Sequence, residues 1–96
     1  MKRSEFAWDE RKSASNRKKH GVSFEEAMTA FYDARARVFF DPDHSGDEDR
    51  FILLGISSRL RVLVICHCHR EAEGVIRIVS ARKADKEEES EYWRNA

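Results

Sequence analysis

The sequence lacks any long apolar run. A helix that crosses a membrane needs about 20 mostly apolar residues in succession, and every apolar stretch here is broken by charged or turn residues well short of that. The opening segment, MKRSEFAWDERK, holds no apolar core of the kind a secretory signal carries. A cytoplasmic location and no membrane partner are therefore expected. Cysteine is scarce: Cys66 and Cys68 are the only two, and they supply no disulfide framework. Two apart on a strand, they point the same way but stand too far apart to bridge without distortion. Net charge is absent too, because 18 Lys and Arg balance 18 Asp and Glu. That excludes a simple polycation. With no internal repeat and no low-complexity linker, the 96 residues read as one domain, 1–96, with a modest core.

What is present is charge arranged in blocks. Residues 1–22 hold seven Lys or Arg against three acids, and residues 50–83 hold seven against two. Between and after them lie acidic blocks: residues 41–49 have five acids and no Lys or Arg, and residues 84–96 have five acids against two bases. Folded together, the basic blocks form either a phosphate-binding face or a solvated surface laced with ion pairs.

Local patterns place the elements. EFAW (Glu5–Trp8) reads as a short strand. Asp9 to His20 is helix-compatible, with Asp9 as N-cap and Gly21 as C-cap glycine. Ser23 and Glu26 form a capping-box pair, and Phe24, Ala27, Met28 and Phe31 follow at helical spacing as a buried stripe. Four strand-like runs come next, Ala36–Asp41, Arg50–Ser57, Val62–His69 and Val75–Arg82. The last three, joined by short connections, read as an antiparallel meander. Asp85 with Glu88 opens a final charged helix that runs to about Arg94. The expected class is α+β: an antiparallel sheet, two N-terminal helices and one C-terminal helix, with the helices packed on one sheet face.

The run VICHCHREAEG concentrates the reactive side chains. Alternation along a strand puts Val64, Cys66 and Cys68 on one face and Ile65, His67 and His69 on the other. Four ligands split two and two across a sheet cannot close a tetrahedral zinc site, and no spaced Cys pair is present. No metal and no cofactor are expected. The cysteines read as small, partly buried core residues. His67 has two readings: a hydrogen-bonded strand-end histidine, or a proton-transfer group.

FAWDERKSASNRKKHGVSFEEA resembles the N-terminal signature of the BrnT family of bacterial toxins, W-D-x-x-K followed by N-x-x-K-H-G-V-S-F-E-E-A. Trp8, Asp9, Lys12, Asn16 and Lys19 through Ala27 match it, and DPDH, DRFILLGIS and RIVSARKA match further on. The resemblance spans about residues 6 to 92. It implies a compact RelE-like fold and a ribonuclease activity that halts translation. It also implies a BrnA-like ribbon-helix-helix antitoxin as partner, with DNA reached only through that antitoxin, in a pair that represses its own operon. The family often carries His-Thr-x-Arg at the end of this strand; here the run is His67-Cys68-His69-Arg70, so a thiol replaces the hydroxyl.

A metal-free ribonuclease needs a base for the 2′-OH, cations for the phosphorane and an acid for the leaving 5′-oxygen. His67 suits proton transfer. Arg50, Arg70, Arg77 and Arg82 carry forks that match phosphate oxygens. These five are the expected catalytic residues, with Lys19, His20 and Arg61 as RNA contacts. Lys19 also reads simply as a favourable cation at a helix C-terminus. Parity sets a condition: on a regular strand Arg77 and Arg82 face opposite ways unless a bulge intervenes. Trp8 and Phe24 read as core, although an exposed Trp8 could stack a base. Tyr92 and Trp93 read as packing or antitoxin contacts. The competing class is a non-catalytic RNA- or partner-binding component of an autoregulatory repressor complex.

Overall fold

The computed structural model describes residues 5–46, 48–70 and 74–95. The elements follow in the order β1 (Glu5–Ala7), α1 (Glu10–His20), α2 (Phe24–Ala30), β2 (Arg37–Asp41), β3 (Arg50–Ile56), β4 (Val62–Arg70), β5 (Val75–Lys83) and α3 (Lys86–Arg94). A single 3₁₀ turn, Pro42–His44, follows β2. The residues expected to turn after β4 at 71–73 lie outside the described residues.

The helix ends are fixed locally. Asp9 accepts hydrogen bonds from the N–H groups of Arg11 and Lys12, and Gly21 closes α1 at φ 71°, a left-handed conformation that glycine adopts without steric cost. At α3 the reciprocal Asp85–Glu88 box is complete. The Ser23–Glu26 box is only half formed. Ser23 accepts from the Glu26 N–H at 3.1 Å, but the Glu26 carboxylate turns away to Ser57 Oγ at 2.7 Å and to Arg61 Nε at 2.9 Å. Arg61 also donates to the Gly21 carbonyl at 3.0 Å. The Arg61 hydrogen bond holds the Glu26 carboxyl below its ordinary value.

The five strands form one sheet in the order β1-β5-β4-β3-β2. The meander of β3, β4 and β5 is antiparallel, as is the β2–β3 pair. β1 pairs with β5 in parallel, so the sheet is mixed rather than wholly antiparallel. The chain leaves β1 through α1 and α2, and these occupy one face of the sheet. Val22, Phe24, Ala27 and Ala30 pack there against Leu53, Leu63, Ile65, Ile78 and Ala81. Gly55 lies under the end of α2; a Cβ there would meet the Ala30 carbonyl and the Ala36 Cβ, each at 3.1 Å.

The expectation that all helices share one face does not hold. α3 lies on the opposite face, where Tyr92 packs with Leu54 and Val62. The Tyr92 hydroxyl donates to Asp33 Oδ2 at 2.6 Å, and burial with that carboxylate pushes the phenol up to about 12. α3 covers only one end of this face. The remainder carries no helix among the described residues.

β1 covers β5 only from Val75 to Arg77. Beyond it, a side chain takes the place of a strand. Asn16, 8% exposed, donates from Nδ2 to the Ala81 and Val22 carbonyls at 2.8 Å each and accepts the Ala81 N–H at 3.1 Å. Buried backbone groups left without partners are costly. Asn16→Leu orphans three of them and is expected to lower stability by about 2–4 kcal/mol, read as a fall in the urea unfolding midpoint; Asn16→Asp, which keeps the acceptor but sets a buried carboxylate oxygen against two carbonyl oxygens, should lower it at least as far.

Candidate functional site

The register of β4 against β5 changes between Cys66 and His67. Cys66 faces Ser80, but His67 faces Ile78, so Val79 is an extra residue in β5. A bulge of this kind reverses which side chains point to which face. It turns Ala81 inward on one side of the bulge and Ile78 and Ile76 inward on the other. The same reversal puts Arg77, Ser80 and Arg82 together on the open face. On that face, Arg50 and Arg77 flank Cys68, Ile52 and Ser80 flank Cys66, and Leu54 and Arg82 flank Val64.

A cleft of about 280 Å³ opens over these rows. Its floor is Arg50, Ile52, Val64, Cys66, Ser80 and Arg82, and its walls carry Asp41 and His44 on one side and His20 on the other. A shallower groove beside it shares His20, Val79 and Ser80 and is also lined by Lys12, Ser15 and Lys19. The C-terminal end of α1 therefore extends the basic character of the cleft.

Several of the charged groups here have defined partners. Proline at the start of the 3₁₀ turn brings His44 back over Asp41, and the two side chains meet at 2.8 Å through His44 Nδ1. Asp41 is nearly buried and His44 largely exposed; in the neutral ring a carboxylate on Nδ1 selects the Nδ1–H tautomer, which makes Nε2 the acceptor nitrogen. Arg82 forms a fork on Glu88, at 2.7 and 2.8 Å. That bond holds the Glu88 carboxyl below its ordinary value. Arg77 is paired with Glu48 of the acidic loop, and its buried Nε has no hydrogen-bond partner among the described residues. Arg50 has no ion pair among the described residues. Cys66 sits beside Arg50; burial pushes its thiol up, and the guanidinium opposes that in part.

The expected residues are thus divided. Arg50, Arg77 and Arg82 share the open face, His20 borders the cleft, and Lys19 borders the adjoining groove. The side chain of Arg70 lies outside the described residues. Arg61 is committed to Glu26, away from the cleft. His67 does not join the arginines: it is fully buried on the face that carries α1 and α2. Its ring meets Phe31 edge-on with centroids 4.9 Å apart, and its Nε2 is 3.1 Å from His69 Nε2. It is a core residue, contrary to the expectation of a strand-end side chain with little part in packing. The divergence of the two cysteines from the two histidines is as the alternation requires. Phe24 is buried and Trp8 packs edge-on against it. Trp93 is 51% exposed. The Asp41–His44 pair went unassigned at the level of sequence, although Asp-Pro-Asp-His is the spacing at which a single 3₁₀ turn brings the first and fourth side chains together.

A profile of the family described as "Ribonuclease toxin, BrnT, of type II toxin-antitoxin system" matches residues 8–88. The chain belongs to the BrnT family. A protein antitoxin is therefore its partner class, and ribonuclease toxin its functional class. The fold agrees. The 1.1 Å crystal structure of the Brucella abortus ribonuclease toxin BrnT superposes with a TM-score of 0.66 at 22% identity, covering 88% of this chain and 100% of that one. The comparison with individually curated proteins returned no match. No helix among the described residues is long and apolar enough to cross a membrane.

Burial of His67 makes stability depend on pH. Burial first, and then His69, pulls its imidazole from the ordinary 6.5 down to about 4. Between those values the unfolded chain binds a proton that the folded chain refuses. The stability is whole above about 6.5 and is lost as pH falls toward 4, by at most about 1.4 kcal/mol per pH unit. Urea unfolding at pH 7.5 and pH 5 should show a smaller drop for His67→Leu than for the parent.

Proposed function

We propose that this BrnT-family chain cleaves RNA in the open-face cleft without a metal ion, and that the cleavage inhibits translation. The observation that carries the reading is the gathering of an Asp-oriented histidine, a second histidine and two arginines around one concave surface. Cleavage of RNA by its own 2′-OH calls for that set of groups.

The geometry supports one division of labour. His44 Nε2 takes the proton from the 2′-OH, with Asp41 fixing its tautomer and stabilising the imidazolium that forms. The oxygen attacks the adjacent phosphorus. Arg50, whose guanidinium has no ion-pair partner among the described residues, takes the phosphate first. Arg82 adds a second fork as phosphate competes with Glu88, and the unpartnered Nε of Arg77 lies on the same face. His20, on the other wall, protonates the departing 5′-oxygen. The products are a 2′,3′-cyclic phosphate and a 5′-hydroxyl. Lys12 and Lys19 in the adjoining groove hold the phosphates that flank the cut. His67 is assigned to packing rather than to proton transfer, and Arg61 to the Glu26 pair.

The partner is read as a BrnA-like ribbon-helix-helix protein, which would carry the DNA contacts of a self-repressing complex. An antitoxin with acidic or amphipathic segments suits the cleft, because it would meet Arg50 and the lysines of α1. The RelE-like fold implied by the family resemblance would suit a helix-backed sheet that offers one face to RNA.

Purified chain incubated with RNA in the presence of EDTA should still cleave it. His44→Ala should lower the rate by about 10²–10⁴-fold. Arg50→Ala should lower it more than Arg50→Lys, which keeps the charge but loses the fork. Folded His44→Ala and Arg50→Ala proteins that cleave like the parent would remove the cleft from the reaction. A parent that represses with its antitoxin but never cleaves RNA would favour the non-catalytic repressor reading instead.

A further inference from the structure

β2 ends the sheet, and its outer side has no partner strand among the described residues. Edge strands are normally blunted by charge, proline or a bulge. Here three successive apolar side chains stand in solvent: Val38 is 53%, Phe39 41% and Phe40 53% exposed. Arg37 precedes them and Asp41 follows.

We propose that β2 is the surface through which two copies of this chain pair, edge to edge and antiparallel, into one continuous sheet. The order Arg-Val-Phe-Phe-Asp is complementary to its own reverse. Opposed residues in an antiparallel pair share a face, and a two-fold axis normal to the sheet keeps every residue on its own face. Only registers that oppose residues of like parity are then allowed. Centred on Phe39, Arg37 meets Asp41 of the second copy, Val38 meets Phe40, and Phe39 meets its own counterpart. All five residues gain a matching neighbour: two opposite charges, two apolar pairs and one aromatic pair. The neighbouring registers do worse. Centring on Val38 sets Arg37 against Phe39, and centring on Phe40 sets Val38 against Pro42, which has no N–H.

The backbone is set for the same register. Ser45 Oγ donates to the Asp41 carbonyl at 2.7 Å and accepts the Arg50 N–H at 2.8 Å. Those two backbone groups therefore face each other between β2 and β3. By alternation, the N–H and C=O groups of Val38 and Phe40 point outward. The Phe39-centred register brings each copy's Val38 opposite the other's Phe40, so all of these groups are satisfied. Arg37 now holds Glu91 at 3.3 Å in a part-exposed pair. Such pairs contribute little, and Asp41 is nearly buried against His44, so the register rests on the apolar pairs and the backbone ladder, with Arg37 brought beside the second copy's Asp41. Both clefts would open on the same face of the joined sheet.

Sedimentation equilibrium of the purified chain should show a mass that rises with concentration from 11.2 kDa toward twice that value. Phe39→Lys sets two like charges across the axis and should hold the chain monomeric with an unchanged circular dichroism spectrum. Phe39→Cys tests the register. Opposed residues at that non-hydrogen-bonded position lie about 4.5 Å apart at Cα, within disulfide reach. On oxidation this variant should cross-link to a dimer, whereas Val38→Cys and the parent should not. A chain that stays monomeric at every concentration overturns the proposal. So does a dimer untouched by Phe39→Lys, which would sit elsewhere. If the chain alone is monomeric and Phe39→Lys weakens only antitoxin capture, the edge belongs to the antitoxin and the pairing of copies is refuted.

Discussion

One extra residue in β5 governs both sides of the sheet. Ile76 and Ile78 occupy the helix-covered face before Val79, and Ala81 occupies it afterwards. A regular strand that buried the isoleucines would put Ala81 in the open and drive Arg82 into the core. The bulge lets one strand satisfy both halves of its apolar pattern. The arginines then need no separate device to reach the open face. They follow from the demand that Ile78 and Ala81 both be buried. Packing and site geometry are here one constraint seen from two faces.

The alternation of charge along the chain becomes pairing in space. Glu48 of the acidic loop meets Arg77, Glu88 of α3 meets Arg82, Glu91 meets Arg37, and Glu26 meets Arg61. Only the Glu26 pair is deeply buried, and it is also the one secured by additional bonds to Ser57 and Gly21. The remaining pairs are partly solvated and so contribute little to the fold. They lower the cost of placing several guanidinium groups close together, and they leave Arg50 as the cation most ready for an anion. The two readings of the basic blocks, ion-paired surface and phosphate site, coexist on one face.

Most of the fold was legible in the sequence because its signals are local. Asp9, Gly21, Ser23 and Asp85 mark helix ends through their own side chains or backbone, and the expected elements match the observed ones to within a residue or two. What escaped is non-local. The parallel partner of β1 depends on how far α1 and α2 carry the chain across the sheet. The side on which α3 lands depends on Tyr92 finding Asp33 across the fold. Within the site, the parity of Arg77 and Arg82 conflicts along a regular strand and calls for a bulge, but nothing local in the sequence says where it falls. His67 was misplaced because sequence position marks the end of a strand but not what covers it. Phe31 and Phe51 arrive from α2's C-cap and β3 to enclose the ring. His44 was overlooked because its value lies in a 2.8 Å contact with Asp41 rather than in its own identity.

Asn16 has a further consequence. It holds the margin of β5 where β1 stops, and β1 itself is three residues long. That side of the sheet has little exposed ladder on which another strand could grow. The opposite margin, β2, is open. Among the described residues one border is guarded and the other receptive, so a pairing at β2 uses up the sheet's most open edge, and the amide of one asparagine works against further growth toward a fibre.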